Sequence, residues 1–561
     1  MPTNIPAREV PFPSSFALLE ASASKEGKEI KEPELEVDKI QGNILAGFNK
    51  DNQTLIFLEI QEPKKFKRWL GAITPFVATT EEVLQFNRLF KLIRSRRKVE
   101  SRAVLSTWLN IAFSFKGLKA LDKEATKFRD KAFRAGLAKR SRSLNDPAEG
   151  AGSPKEWLIG GEGNEADLLL ILASDSIEEM ALAVRRVESW IYEGAELNGE
   201  VVPSGAAIIF KQKGATLPSP LTGREHFGFL DGVSQPGIRG TRGETNELIT
   251  PRQNPANPNQ GKPGQDRLWP GEFVFGYPSQ SPKNSDKKGK LKTEGPAWSK
   301  NGSFLVFRRL RQDVGGFHEF LKREGDRLKL GAELFGAKCV GRWASGAPIE
   351  RATKADNLKM SRDDCANNAF DFQEATVPKP PKPDSGQCAD NFPKSLAQKD
   401  KDALMCPFAG HIRKAYPRDD VSSDPKKQPF PNEADTETHR LLRRGIPFGD
   451  PFDPTIIPDD GNRGLLFLAY QTSIENQFEF VTKNWVNNPD FKDPGSGHDP
   501  ILGQSDKKGN RERFFSIKLP NGEKQTIRLE KDWVIPTGGG YFFSPSIDAL
   551  EVLSGSKRLK K

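Results

Sequence analysis

Histidine and cysteine are scarce in this chain of 561 residues, which carries five of the first (His226, His318, His411, His439 and His498) and four of the second. The cysteines, Cys339, Cys365, Cys388 and Cys406, lack the close pairing of a closed zinc site. The opening Met-Pro-Thr-Asn-Ile-Pro-Ala-Arg-Glu has neither the basic start nor the apolar core of a secretory leader. On that ground the expected location is the cytoplasm, unless a leader has been removed, and all four thiols are expected to be free. No apolar run approaches the 18 or so residues of a membrane span, so none is expected.

Charge and composition set further bounds. Lys and Arg total 85 against 75 Asp and Glu, a formal net charge of +10. The basic clusters, such as Lys557 to Lys561, come without any recognition motif, so they are read as solvated surface and no nucleic-acid partner is expected. With 36% hydrophobic residues, 50 Gly and 42 Pro, the chain is folded and loop-rich. It exceeds the roughly 250 to 300 residues that one core supports, so two domains are expected.

Residues 1–36 are polar and aperiodic and read as an extension. Residues 37–225 then alternate strands (54–60, 167–173) with capped helices (80–97, 176–193). The pattern Leu-Leu-Leu-Ile-Leu followed by Ser176-Ile-Glu-Glu recurs as Leu465-Leu-Phe-Leu followed by Ser473-Ile-Glu-Asn, which suggests two similar α+β halves. The second half, 226–561, adds a strand at 301–313, a helix at 314–330 and polar loop insertions at about 252–300 and 377–397.

One stretch carries chemistry. His226-Phe-Gly-Phe-Leu-Asp-Gly-Val-Ser-Gln-Pro-Gly237 sets a single carboxylate, Asp231, among apolar neighbours and two glycines. Such a residue is either a turn former or an acid/base group kept poorly solvated. Downstream, Pro407-Phe-Ala-Gly-His-Ile-Arg-Lys contains His411, and Gly497-His-Asp-Pro contains Asp499. His439-Arg-Leu-Leu-Arg-Arg-Gly-Ile-Pro reads as the last turn of a helix stopped by Gly445 and Pro447, so Arg443 and Arg444 would point about 100° apart. Gly464-Leu-Leu-Phe-Leu-Ala-Tyr-Gln471 reads as a strand.

Together these segments resemble the dye-decolourising peroxidases, whose GxxDG signature is matched by Gly228-Phe-Leu-Asp231-Gly232. The resemblance implies an α+β fold of two ferredoxin-like domains, each an antiparallel sheet with peripheral helices, and a haem in the C-terminal domain. No Cys-x-x-Cys-His attachment sequence occurs, so one non-covalent haem b per chain is expected. By the same resemblance His411 is the axial ligand of the iron and Asp499 its acidic partner, and Asp231 and Arg443 share the catalytic work on the open face. Arg413, Leu465 and Phe467 are expected beside the cofactor. The partners implied are hydrogen peroxide and aromatic donors such as dyes and phenols. A haem-handling protein with little turnover, which keeps His411 but has no need of Asp231, is the alternative reading. Nothing in the sequence selects an electron-relay residue among aromatics such as Trp269, Trp298, Tyr416, Tyr470 and Trp485.

Overall fold

The computed structural model describes residues 31–97, 105–243, 247–254, 257–373, 388, 397, 399–420, 433–456, 461–505 and 511–557. Its first α+β unit runs β1 (Asn52–Ile60), α1 (Pro63–Ile73), α2 (Thr80–Arg97), β2 (Thr107–Ser114), β3 (Leu168–Ser174), α3 (Ile177–Tyr192) and β4 (Ala206–Ala215). The second runs β5 (Ser303–Gln312), α4 (Val314–Arg327), α5 (His411–Ala415), β6 (Leu442–Arg443), β7 (Ile446–Phe448), β8 (Gly464–Gln471), β9 (Val534–Ser544) and α6 (Ile547–Ser554).

Local sequence explains these elements. In α1 a proline occupies the first turn, where a missing N–H costs nothing, and Phe66, Trp69, Leu70 and Ile73 repeat at helical spacing on the buried face. Ser176 caps α3 by accepting from Glu178 N and Glu179 N, and the two glutamates favour the positive end of the helix dipole. The echo of this pattern holds for the strand and for one hydroxyl, since Ser473 Oγ accepts from Asn476 N at 3.2 Å. It fails for the helix: the second copy opens only at Phe478 and continues as a six-residue π-helix, Val481–Val486.

All these strands belong to one nine-stranded sheet of order β6-β8-β5-β9-β2-β3-β1-β4, with β7 also on β8. Within the first unit the order is fourth, first, third, second strand, which is ferredoxin-like, and the second unit repeats it as β9, β5, β8 and the β6/β7 pair. The units join antiparallel at β9 and β2, where Phe542 faces Ser114 and Phe543 faces Phe113. The two outer ends come together as well, because a Cβ on Gly214 of β4 would lie 2.7 Å from Ile446 Cγ2 and 3.0 Å from Pro447 O of β7. The sheet therefore curls into a barrel, whose interior is one apolar cluster that includes Phe57, Ile171, Phe307, Leu468 and Phe542. Phe57 is the hub, its ring 5.1 Å from Phe307, 5.9 Å from Phe210 and 6.4 Å from Phe542. Strand alternation sends Ile56, Leu58, Leu170 and Val306 outward into a second core under the helices.

Four sequence expectations need correction. Residues 439–449 are not a helix end, because β6 and β7 pair with the open edge of β8 (Leu442 with Tyr470, Ile446 with Leu466), and a partner far along the chain overrides local helix propensity. The extension is not wholly aperiodic: Glu34–Leu35 pairs parallel with Thr241–Arg242, and Glu32 reaches Arg252 and the buried Arg267. The insertion at 252–300 carries short strands of its own at Arg267–Leu268, Pro278–Gln280 and Lys288–Leu291. Most of 377–397 lies outside the described residues. Finally, Cys365 and Cys388 form a disulfide, leaving only Cys339 and Cys406 as buried thiols.

Two outcomes follow from this architecture. Phe57→Ala should lower unfolding stability by about 3–5 kcal/mol, read as a lower urea midpoint at unchanged m, because a cavity would open at the barrel hub. Alkylation of the unfolded, unreduced chain should label two cysteines, rising to four after reduction; four labels without reductant would remove the disulfide.

Candidate active site

A cavity of about 330 Å³ lies against the second unit, between the outward face of its sheet, α5 and the loop that contains Asp231. That volume is in the usual range for a small-molecule site. Its walls are mostly apolar, with Phe229, Leu230, Val340, Ile412, Phe478 and Leu502 among them. Strand alternation on β8 places Leu465 and Phe467 in the cavity, whereas Leu466 and Leu468 fill the barrel.

The loop before Asp231 folds back on itself. Asp231 N donates to Gly223 O at 3.2 Å, Arg224 and Leu230 form an isolated bridge, and Gly228 and Gly232 take φ of 97° and 74°, a region that costs glycine least. Both readings of Asp231 therefore hold at once: it is a turn residue, and it lines the cavity. Its Oδ1 accepts from Gly232 N at 2.6 Å and from Arg443 Nη1 at 2.8 Å. The carboxylate is 36% exposed, and that surface faces the cavity. Burial pushes its pKa up, but the charge and hydrogen bond of Arg443 outweigh burial and hold it below the ordinary aspartate value of 3.8.

Arg443 and Arg444 part company as neighbours at a strand end do. Arg443 turns into the cavity and also donates from Nη2 to Ser234 O at 3.2 Å. Arg444 turns the other way and donates to the carbonyls of Asn43, Ile44 and Leu45, with burial pulling its pKa down to about 10. Gln235 grips Arg443 by its backbone, its Oε1 accepting from Arg443 N at 3.2 Å and its Nε2 donating to Arg443 O at 3.1 Å. The Val-Ser-Gln-Pro tail of the motif thus sets the arginine, a role the sequence reading did not find because the partner lies far along the chain.

His411 opens α5 and lines the same cavity. Its Nδ1 lies 2.7 Å from Oδ2 of Asp499, which is fully buried and whose Oδ1 accepts from Ile501 N and Leu502 N. Burial favours the neutral imidazole, yet the Asp499 charge and hydrogen bond prevail and raise its pKa above 6.5. Its Nε2 has no hydrogen-bond partner among the described residues. The other histidines are engaged: His226 with Phe448 O, His318 with Phe227 O, and His498 with Phe514 O. His439 also lines the cavity, but its Nδ1 is bound to Asn476 O and its ring stacks on Phe480 at 3.7 Å.

Arg413 departs from expectation. Two residues beyond His411 on a helix it points about 200° away, and its guanidinium is fully buried against Asp400, Asp420 and Cys406 O, between the rings of Phe372 and Phe408. It does not line the cavity. Glu225, Arg342 and Arg418 do, and were not singled out from sequence. Arg342 and Arg418 are spent on backbone carbonyls, and no local pattern marks them.

Residues 39–202 match the family described as the DyP dimeric alpha+beta barrel domain, and residues 426–495 match the Dyp-type peroxidase C-terminal family. The dye-decolorizing peroxidase msp1 of Mycetinis scorodonius is 31% identical over 98% of this chain and 92% of its own. AauDyP1 of Auricularia auricula-judae, another dye-decolorizing peroxidase, is 29% identical over 92% of this chain and 86% of its own. Among solved structures, an ancestral D-type dye-decolorizing peroxidase superposes with a TM-score of 0.69 at 31% identity, covering 92% of this chain and 98% of that one. A variant of the Pleurotus ostreatus enzyme superposes with a TM-score of 0.71 at 29% identity, covering 93% and 99%. With the barrel, the cavity and these likenesses in agreement, the chain belongs to the dye-decolourising peroxidase family, whose members are haem enzymes.

Proposed function

We propose that His411, Asp231 and Arg443 are the working groups of this peroxidase and that it uses one haem b per chain, held without a covalent link. The enzyme reduces hydrogen peroxide and oxidises dyes, phenols and other aromatic donors one electron at a time. A haem fits the residues present: the cavity walls are apolar, one imidazole presents an unpartnered Nε2, and neither free cysteine lines the cavity. When bound, the haem supplies the electron-transfer chemistry, passing two electrons to peroxide and recovering them singly from donors.

His411 Nε2 would hold the iron, and the Asp499 carboxylate, by accepting from Nδ1–H, fixes the tautomer and makes the ring a stronger donor. Leu465 and Phe467 would help keep water from the cofactor. Asp231 would take a proton from one oxygen of peroxide and return it to the other as the O–O bond breaks, so that water leaves rather than hydroxide. Arg443, always charged, stabilises the negative charge that develops as the O–O bond breaks. The observation that carries this reading is the meeting of the Asp231–Arg443 pair and the Asp499-backed imidazole in one cavity.

The Cys365–Cys388 bond supports an oxidising compartment rather than the cytoplasm expected from the N-terminal residues. No described helix is long and apolar enough to cross a membrane.

Asp231→Asn should retain haem while slowing the reaction with peroxide by about 10²–10⁴-fold, the usual worth of a general acid/base; an unchanged rate would sink the proton-carrying role. Arg443→Gln tests the electrostatics. Asp231 is held below 3.8, so its basic form persists at mildly acid pH and is lost only as pH falls through that lowered value. Without the guanidinium, burial is opposed chiefly by the Gly232 N hydrogen bond, and the acid limb of the peroxide rate should move to higher pH. A limb that stays put would show that Arg443 does not set the Asp231 charge.

A further inference from the structure

Glu225 lines the cavity but takes no part in the steps above. Both of its carboxylate oxygens are occupied from within the protein: Oε2 accepts from Phe227 N at 2.9 Å and from Gln312 Nε2 at 2.5 Å, and Oε1 accepts from Phe229 N at 3.0 Å. Its own N–H donates to Phe229 O at 3.0 Å. Together with the bond from Asp231 N to Gly223 O, this brackets the Arg224–Leu230 bridge and closes residues 223–231 into a hairpin tied by two backbone hydrogen bonds. The Glu225 carboxylate plugs its tip, and Asp231 is its last rung.

Each part of the plug is anchored. Gln312 ends β5 and ties the carboxylate to the barrel, while the Phe227 ring packs 4.4 Å from that of Phe317 on α4. The N–H groups of Phe227 and Phe229 point into the tip, where the two carboxyl oxygens satisfy one each, and an unmet donor there would cost free energy. Three hydrogen bonds from the protein's own donors hold the Glu225 carboxyl group in place.

We propose that Glu225 is a positioning residue for the peroxide reaction: its carboxylate closes the hairpin that holds Asp231 on Arg443 and Gly232. The proposal rests on the reading of Asp231 as the proton carrier. Its reach is specific. Loosening the hairpin lets the Asp231 carboxylate leave Arg443, whereas His411, Asp499 and the cavity walls on β8 keep their places, since none of their hydrogen bonds runs through residues 223–231.

The test uses the haem-loaded enzyme and its Glu225→Gln variant, in which one acceptor oxygen is replaced by a donor. Soret absorbance and melting temperature are expected to stay close to wild type, and amide exchange in the 223–232 segment is expected to speed up. The rate with peroxide should fall by about tenfold, as expected for one lost hydrogen bond, while the later oxidation of an aromatic donor keeps its rate. A merely structural residue would slow both steps or release haem, and either outcome overturns the proposal, as do wild-type exchange and a wild-type peroxide rate. Should Glu225→Gln fail to fold, Gln312→Leu, which removes only the outer bond, is expected to show the same selective loss at about threefold, and unchanged kinetics there overturn it too. Asp231→Asn separates the two readings: if it is slow while Glu225→Gln is not, only the positioning role falls, whereas a fast Asp231→Asn removes the reading on which this one rests.

Discussion

The contact between Asp231 and Arg443, residues 212 apart in sequence and 2.8 Å apart in space, is the constraint on which the site turns. Burial alone would push the carboxylate toward its neutral form, and an isolated guanidinium in an apolar cavity would be costly as well. Each makes the other tolerable. The pairing stays productive because neither group is free to drift: the carboxylate is fixed to Gly232 N, and the arginine is gripped along its backbone by Gln235 and at its tip by Ser234. With about a third of each side chain open to the cavity, the pair contributes little to stability; its worth lies in keeping one anion ionised beside an apolar wall.

The barrel explains why such distant residues meet. Closing two ferredoxin-like units into one curled sheet leaves the outward face of β5 and β8 to carry the cavity, with Leu465 and Phe467 set there by alternation. The edge of β8 then recruits β6 and β7, so Arg443 stands beside Ala469 instead of at a helix end. On the other wall α5 starts with His411, and Asp499 arrives from a loop that buries its carboxylate completely. The rigid part of the fold thus sets two walls, and short loops carry the polar groups, the common division between scaffold and site.

Much of this was legible from local pattern. Short apolar runs marked β1, β3 and β8, the family resemblance singled out the two residues of β8 that face the cavity, and Ser176 marked the start of α3. What escaped notice depends on partners far along the chain. The 439–449 segment has a helix-stopping signature, yet an unpaired edge of β8 claims it as strand. Arg413 shares a motif with His411 but sits on the opposite side of the helix, so proximity in sequence misled. The Cys365–Cys388 bond needs the spatial approach of two loops, which spacing does not encode. Gln235 and Glu225 lie inside or beside the GxxDG motif but act through Arg443 and through the hairpin, contacts that no one-dimensional pattern contains.

The central claim is that one imidazole and one carboxylate–guanidinium pair face each other across a haem, and the most direct measurement is a crystal structure of the haem-loaded enzyme. The account predicts iron bound to His411 Nε2, with Asp231 and Arg443 on the opposite face and Asp499 still bonded to Nδ1. Iron bound to His439, the other histidine that lines the cavity, or Asp231 on the same face as the iron's protein ligand, would contradict it.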